Sequence, residues 1–179
     1  YAAAATMKLV DQGRLSLDDD ITKFFPDFPT HGKRITVRML LLHTGGLEAF
    51  APLWQELRGR EQYLRQINAR PAENPPGEVT RYSDWDFILL AMIVERLAGE
   101  PLDAFLQRRV WTPLDMRDTG FNPSEALRPR IAPTEVDTSR GGLVHGFVHD
   151  EAILRSCGGE YSRCDVAMRH AGRVQSPKG

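Results

Sequence analysis

The stretch Tyr82-Ser83-Asp84-Trp85-Asp86-Phe87-Ile88-Leu89-Leu90-Ala91-Met92-Ile93-Val94-Glu95-Arg96-Leu97-Ala98-Gly99 carries the strongest helical signal in this chain of 179 residues. Phe87, Leu90, Ala91 and Val94 recur at i, i+3, i+4 and i+7, the spacing of one buried helix face. Ser83 or Asp84 can cap its start, because a short side-chain oxygen accepts a backbone N–H that the first helical turn leaves unpaired. Gly99 ends it, since glycine adopts the left-handed conformation of a helix terminus without steric penalty. Reading outward, Pro101 falls where the first position of a next helix would be, and Leu102, Phe105 and Leu106 supply that helix with an apolar stripe. Upstream, Thr36 caps a helix over Val37 to His43, which Gly45-Gly46 closes, and Ala2 to Gln12 forms a helix that stops at Gly13.

Between these elements, Leu15, Leu17, Ile21, Phe24, Phe25 and Phe28 form an apolar cluster around a short helix and a loop. Leu47 to Ala69 shows helical spacings broken near Gly59, and Asn74-Pro75-Pro76-Gly77 is a turn. From Thr112 onward, prolines and glycines leave room only for short elements. The sum is about six helices and hardly a strand, so the chain reads as predominantly helical.

Composition excludes several classes of function. The 23 basic and 24 acidic residues nearly cancel, leaving a net charge of −1, without the basic excess that a nucleic-acid interface requires. A hydrophobic share of 41% and a charged share of 26% describe an ordinary globular chain. At about 150 residues per domain the length suggests one domain. The longest apolar run, Phe87 to Val94, is far short of the ~20 residues of a membrane span. Cys157 and Cys164 do not make a disulfide framework, and their spacing is not that of zinc ligands, so they read as free thiols. Tyr1 opens directly into helix-interior residues without an N-cap or an initiator Met, as expected of a piece of a longer chain.

Tyr82-Ser83-Asp84 is the triplet most suited to chemistry. It places a phenol and a hydroxyl at the mouth of a helix, where the partial positive charge favours an anion and would lower a tyrosine pKa from its ordinary ~10. A tyrosine so placed can act as general base toward a serine nucleophile. The same triplet also reads as a plain helix cap beside a partly buried ring. His145 and His149 stand at i, i+4, a spacing that on a helix could hold a metal. Gly141, Gly142 and Gly146 argue against a helix there, and no Glu follows the first histidine, so paired loop histidines making hydrogen bonds are preferred. His43-Thr44-Gly45-Gly46 reads as a helix C-terminus with His43 complementing the dipole. No phosphate-binding glycine loop occurs, and nucleotide binding has no support.

The runs Met7 to Asp19 and Ile35 to Leu47, then Pro75-Pro76-Gly77, Tyr82-Ser83-Asp84, Leu97-Ala98-Gly99 and Pro113 to Phe121, occur in an order that resembles the serine β-lactamase and penicillin-binding-protein superfamily. The likeness is greatest to its class C-type branch, with its esterases and D-alanyl-D-alanine peptidases, and covers about residues 1 to 150. It implies an α+β fold of which this chain carries the mostly helical middle part with few strands. It also implies acyl transfer through an acyl-serine intermediate, without metal or organic cofactor, on a small-molecule or peptidoglycan-like substrate. Tyr82 matches the family's proton-transferring tyrosine, and Asp84 occupies its substrate-binding asparagine position. An ionised Asp only accepts hydrogen bonds where Asn also donates, which leans away from β-lactams and toward an ester or peptide. Asp115 stands where a glycine is usual, a change that its tolerance of the left-handed region allows. Family members are bacterial and often exported; the residues themselves leave localisation and oligomeric state open.

Two family motifs have no counterpart in these 179 residues: the Ser-x-x-Lys that supplies the nucleophile and the late Lys-Thr-Gly strand. Thr30-His31-Gly32-Lys33 has the first spacing but lies in a Pro/Gly loop. The resemblance puts the Ser-x-x-Lys just upstream of Tyr1, so this chain alone is expected not to turn over substrate, and its Ala2 to Val10 helix is expected to pack against residues outside it. Residues 151–179 diverge from the pattern and read as an insertion or frameshifted tail. The alternative is a non-catalytic helical binding module or degenerate relative that keeps the scaffold.

Overall fold

The computed structural model describes residues 1–30, 32–51, 60–70, 72–121, 124–133, 135–138, 141–144 and 173–175. His145, His149, Cys157, Cys164 and His31 of the Thr30 to Lys33 segment lie outside the described residues.

The helices are α1 (Ala2–Asp11), α2 (Val37–Leu41), α3 (Arg60–Ala69), α4 (Asp84–Ala98) and α5 (Leu102–Leu106). A short 3-10 helix covers Ile21–Lys23, and α5 runs on into a π-type turn at Gln107–Trp111. Among the described residues four three-residue strands follow, β1 (Thr119–Phe121), β2 (Glu135–Asp137), β3 (Gly142–Val144) and β4 (Arg173–Gln175). They form two antiparallel pairs, β1 with β4 and β2 with β3, with Gly120 opposite Val174 and Val136 opposite Leu143. The chain is thus mostly helical with few strands, as expected of the helical part of an α+β fold. Among the described residues no helix is long and apolar enough to cross a membrane.

Helix α4 is the axis on which the rest packs. Its residues Leu89 to Val94 are all buried, and α1, α2 and α5 lie against it. Being covered on several sides rather than one, it buries more than the single stripe its periodicity marks. The expectation that α1 packs outside the chain is corrected here: Ala2, Ala5 and Leu9 are buried, and the partners of α1 are α4, α5 and the π-type turn. Small alanine side chains let that helix approach α4 closely, which is why an Ala-rich segment serves as a core element.

The caps follow local chemistry. Thr36 accepts from the Met39 N–H at the start of α2, and Gly99 ends α4 at φ 73°. Pro101 is the N-cap of α5 rather than its first residue, so the helix begins one residue later than expected. Because proline brings no side-chain acceptor, the buried Glu95 reaches from α4 to accept the Leu102 N–H at 2.7 Å. Asp115 takes φ 52°, as its place in the turn demands.

Candidate active site

The mouth of α4 is built by Ser83. Its backbone is extended, its hydroxyl oxygen accepts the Trp85 N–H at 3.3 Å, and the same hydroxyl donates to the Glu48 carbonyl at 2.6 Å. One residue therefore caps the helix and fastens it to the 47–51 segment. Asp84 enters the first turn, and its N–H donates to the Ala49 carbonyl at 3.1 Å. Glu48 is held in turn by Arg70 at 2.8 Å, and the Arg70 guanidinium lies 5.5 Å from the centre of the Trp85 ring. The base under the helix mouth is thus cross-linked by hydrogen bonds, an ion pair and a cation–π contact.

Tyr82 stands just before this cap with 70% of its surface exposed, so it is neither a core ring nor a partly buried one. Its ring meets the imidazole of His43, centroid to centroid 4.7 Å. The 72–82 segment that carries it is sewn to the 43–46 segment by backbone bonds: Arg81 N–H to the His43 carbonyl at 2.8 Å, Gly77 N–H to Thr44 at 2.7 Å and Glu73 N–H to Gly46 at 2.8 Å. Gly46, at φ 78°, could not carry a side chain, because a Cβ there would fall 2.1 Å from the Asn74 carbonyl oxygen. The exposed phenol therefore projects from a rigid platform.

His43 departs from its expected role. Helix α2 ends at Leu41, two residues short of the expected boundary, and the bonds that close it run from His43 N–H to Leu40 and from Thr44 N–H to Met39. That pattern places the helix-closing left-handed residue at His43 itself, φ 55°, three residues ahead of Gly46, which is left-handed as well. A non-glycine residue in this region carries backbone strain of about 1 kcal/mol or more. Its side chain turns inward, where Nδ1 lies 3.0 Å from Asp86 Oδ2 and 3.3 Å from the Ser83 N–H, and the ring stacks on Phe87 with centroids 4.9 Å apart.

Asp86 is 1% exposed, and its second oxygen, Oδ1, has no hydrogen-bond partner among the described residues. A Cβ on Gly45 would lie 3.0 Å from that oxygen, so the glycine leaves the carboxyl just enough room. An ionised carboxylate with one oxygen unmet is costly to bury, and burial pushes the Asp86 pKa up to about 8. Burial also pulls His43 below its ordinary value, with the negative charge of Asp84 opposing the shift. Both shifts favour a neutral pair at pH 7, the Asp86 acid donating to Nδ1 of a neutral imidazole. The Ser83 N–H directed at the same nitrogen agrees with Nδ1 as the acceptor.

Tyr82 and Asp84 are thus brought together at one helix mouth, as the triplet foretold. His43 and Asp86 were missed in their present roles. The available signal was Asp86 itself, an acid in phase with the buried Leu89, Leu90 and Ile93 at i+3, i+4 and i+7.

The family model described as Beta-lactamase matches residues 1–167. A curated relative from Escherichia coli K12, named "Putative D-alanyl-D-alanine carboxypeptidase", is 35% identical over 184 aligned residues, which cover 87% of this chain and 42% of that protein. The chain therefore spans less than half the length of that relative. Among solved structures, the hydrolase EstCE1, described as having promiscuous acyltransferase activity, matches at 26% identity with a TM-score of 0.72, over 98% of this chain and 53% of that one. A class C beta-lactamase shares the fold at 18% identity with a TM-score of 0.74, over 98% of this chain and 44% of that one.

Proposed function

Because the chain belongs to the Beta-lactamase family, we propose that the whole protein is a serine hydrolase that forms an acyl-enzyme on an ester, amide or peptidoglycan-type substrate. Tyr82 serves as the proton-transferring residue toward the nucleophile and the leaving group, and Asp84 lies on the substrate side of the same helix mouth. The nucleophile is a serine of a Ser-x-x-Lys motif outside these 179 residues, and no metal or organic cofactor takes part. The reaction needs one proton moved twice: from the serine hydroxyl as it attacks the acyl carbon, then onto the departing oxygen or nitrogen. An ionised Asp84 offers the substrate an acceptor only, which suits an N–H of a peptide or amide better than a carbonyl.

The observation that carries this reading is the presentation of Tyr82: an exposed phenol at the start of a capped helix, its chain segment fastened on two sides by backbone bonds. Rigid presentation of a proton-transfer group is what general acid–base catalysis requires of a scaffold. The test is covalent labelling of the whole protein by a penicillin or fluorophosphonate probe, together with Tyr82→Phe. Labelling and a hydrolysis rate that falls on loss of the phenol are expected. A protein that binds a peptidoglycan fragment yet is never labelled would instead make this a non-catalytic binding module.

A further inference from the structure

Resting on that reading of Tyr82, the geometry points to His43 and Asp86 as positioning residues for the phenol: a hydrogen-bonded imidazole–carboxyl pair beneath the helix mouth that holds the Tyr82 ring in its working orientation. Three observations lead there independently. First, the imidazole is in ring contact with Tyr82, and it is immobilised from two further directions, by Phe87 stacked on it and by Asp86 Oδ2 at 3.0 Å from Nδ1. Second, a helix closed in the manner of α2 is satisfied best by glycine at its left-handed position, yet a histidine stands there at φ 55°. The strain gains nothing for the helix; it aims a ring at Tyr82. Third, Asp86 is sealed from solvent with one oxygen unpartnered among the described residues, an arrangement that a merely structural core position would fill better with an apolar side chain.

Arg81, whose N–H meets the His43 carbonyl, pairs with Glu73, and the charge of Asp84 acts on His43 electrostatically. The ring nitrogen Nδ1 is met by the Ser83 backbone N–H and by Asp86, the carboxyl within direct hydrogen-bond distance of it. In its acid form Asp86 is both donor and acceptor, and Asn reproduces that pairing through its amide N–H and carbonyl.

The experiment measures kcat and KM of the whole protein for Asp86→Asn, Asp86→Leu, His43→Gly and Tyr82→Phe, with circular dichroism to confirm folding. His43→Gly relieves the backbone strain, so it keeps the fold available even if Asp86→Leu does not. Expected are a kcat lowered about 10- to 100-fold in His43→Gly and Asp86→Leu with KM nearly unchanged, and a kcat near wild type in Asp86→Asn. A loss in Asp86→Asn as deep as in Asp86→Leu overturns the neutral pair. Wild-type kcat in His43→Gly, with Tyr82→Phe inactive, overturns the positioning role and leaves the reading of Tyr82 standing. An active Tyr82→Phe overturns that reading itself.

Discussion

The buried interior stretch of α4 and its first turn belong to one continuous helix and obey different rules. From Leu89 to Val94 every side chain is buried and apolar, and packing against α1, α2 and α5 decides each position. In the first turn the helix buries an acid, Asp86, next to a histidine in a strained backbone conformation, while the tyrosine just outside stays exposed. The interior end stabilises the fold by removing apolar surface from water. The mouth spends part of that stability on holding polar groups where water cannot reach them. Strain and unmet polarity gathered in one turn, on top of a well-packed base, are the physical signature of a site rather than of a core.

The comparison can be broken at either end. The largest effect is expected at the mouth: Tyr82→Phe should lower the hydrolysis rate of the whole protein by ~10²–10⁴ while its melting temperature stays put. An unchanged rate would remove Tyr82 from the mechanism. At the other end, Leu90→Ala should destabilise by roughly 2–5 kcal/mol, because it opens a cavity at a fully buried position, and leave the catalytic rate of the folded fraction intact. Denaturant unfolding measures this, and a loss below ~1 kcal/mol would show that α4 is not the packing axis. Ser83→Ala lies at the junction and should cost about 1–2 kcal/mol, since it removes the cap and the donor to Glu48 together.

The same contrast has a pH signature. Burial pushes the folded pKa of Asp86 up to about 8 from an ordinary 3.8, so the folded state holds more protons than the unfolded one between those values. Its contribution to stability is full below about pH 4 and is lost as pH rises toward about 8, by at most ~1.4 kcal/mol per pH unit. The lowered pKa of His43 has the opposite sign, with stability present above its ordinary value of 6.5 and fading as pH falls. Asp86→Asn should therefore flatten the decline of the unfolding midpoint between about pH 4 and pH 8 and leave the His43 contribution in place. An equally steep decline over that window in the variant would assign it to other groups.

Local physics was legible in the residues. Thr36 and Ser83 announced their caps because a hydroxyl before an apolar periodic run has one obvious acceptor role, and Gly99 and Asp115 announced left-handed turns. That Tyr82 and Asp84 both stand at a helix mouth followed from their adjacency. The ending of α2 was misplaced because Gly45 and Gly46 are the residues that most easily adopt positive φ, and only the fold shows that His43, ahead of the left-handed Gly46, closes the helix in that conformation. Gly45 and Gly46 are kept small by their neighbours, Asp86 and the Asn74 carbonyl, which lie far off in sequence.

The main helices, the caps at Thr36, Ser83 and Gly99 and the phenol at the start of α4 depend on interactions within a few residues and were legible for that reason. Which helix α1 covers, and that His43 meets Asp86 across 43 residues of chain, came only with the folded packing. Such contacts form where packing brings distant segments together, and their energy depends on burial, which no local pattern encodes.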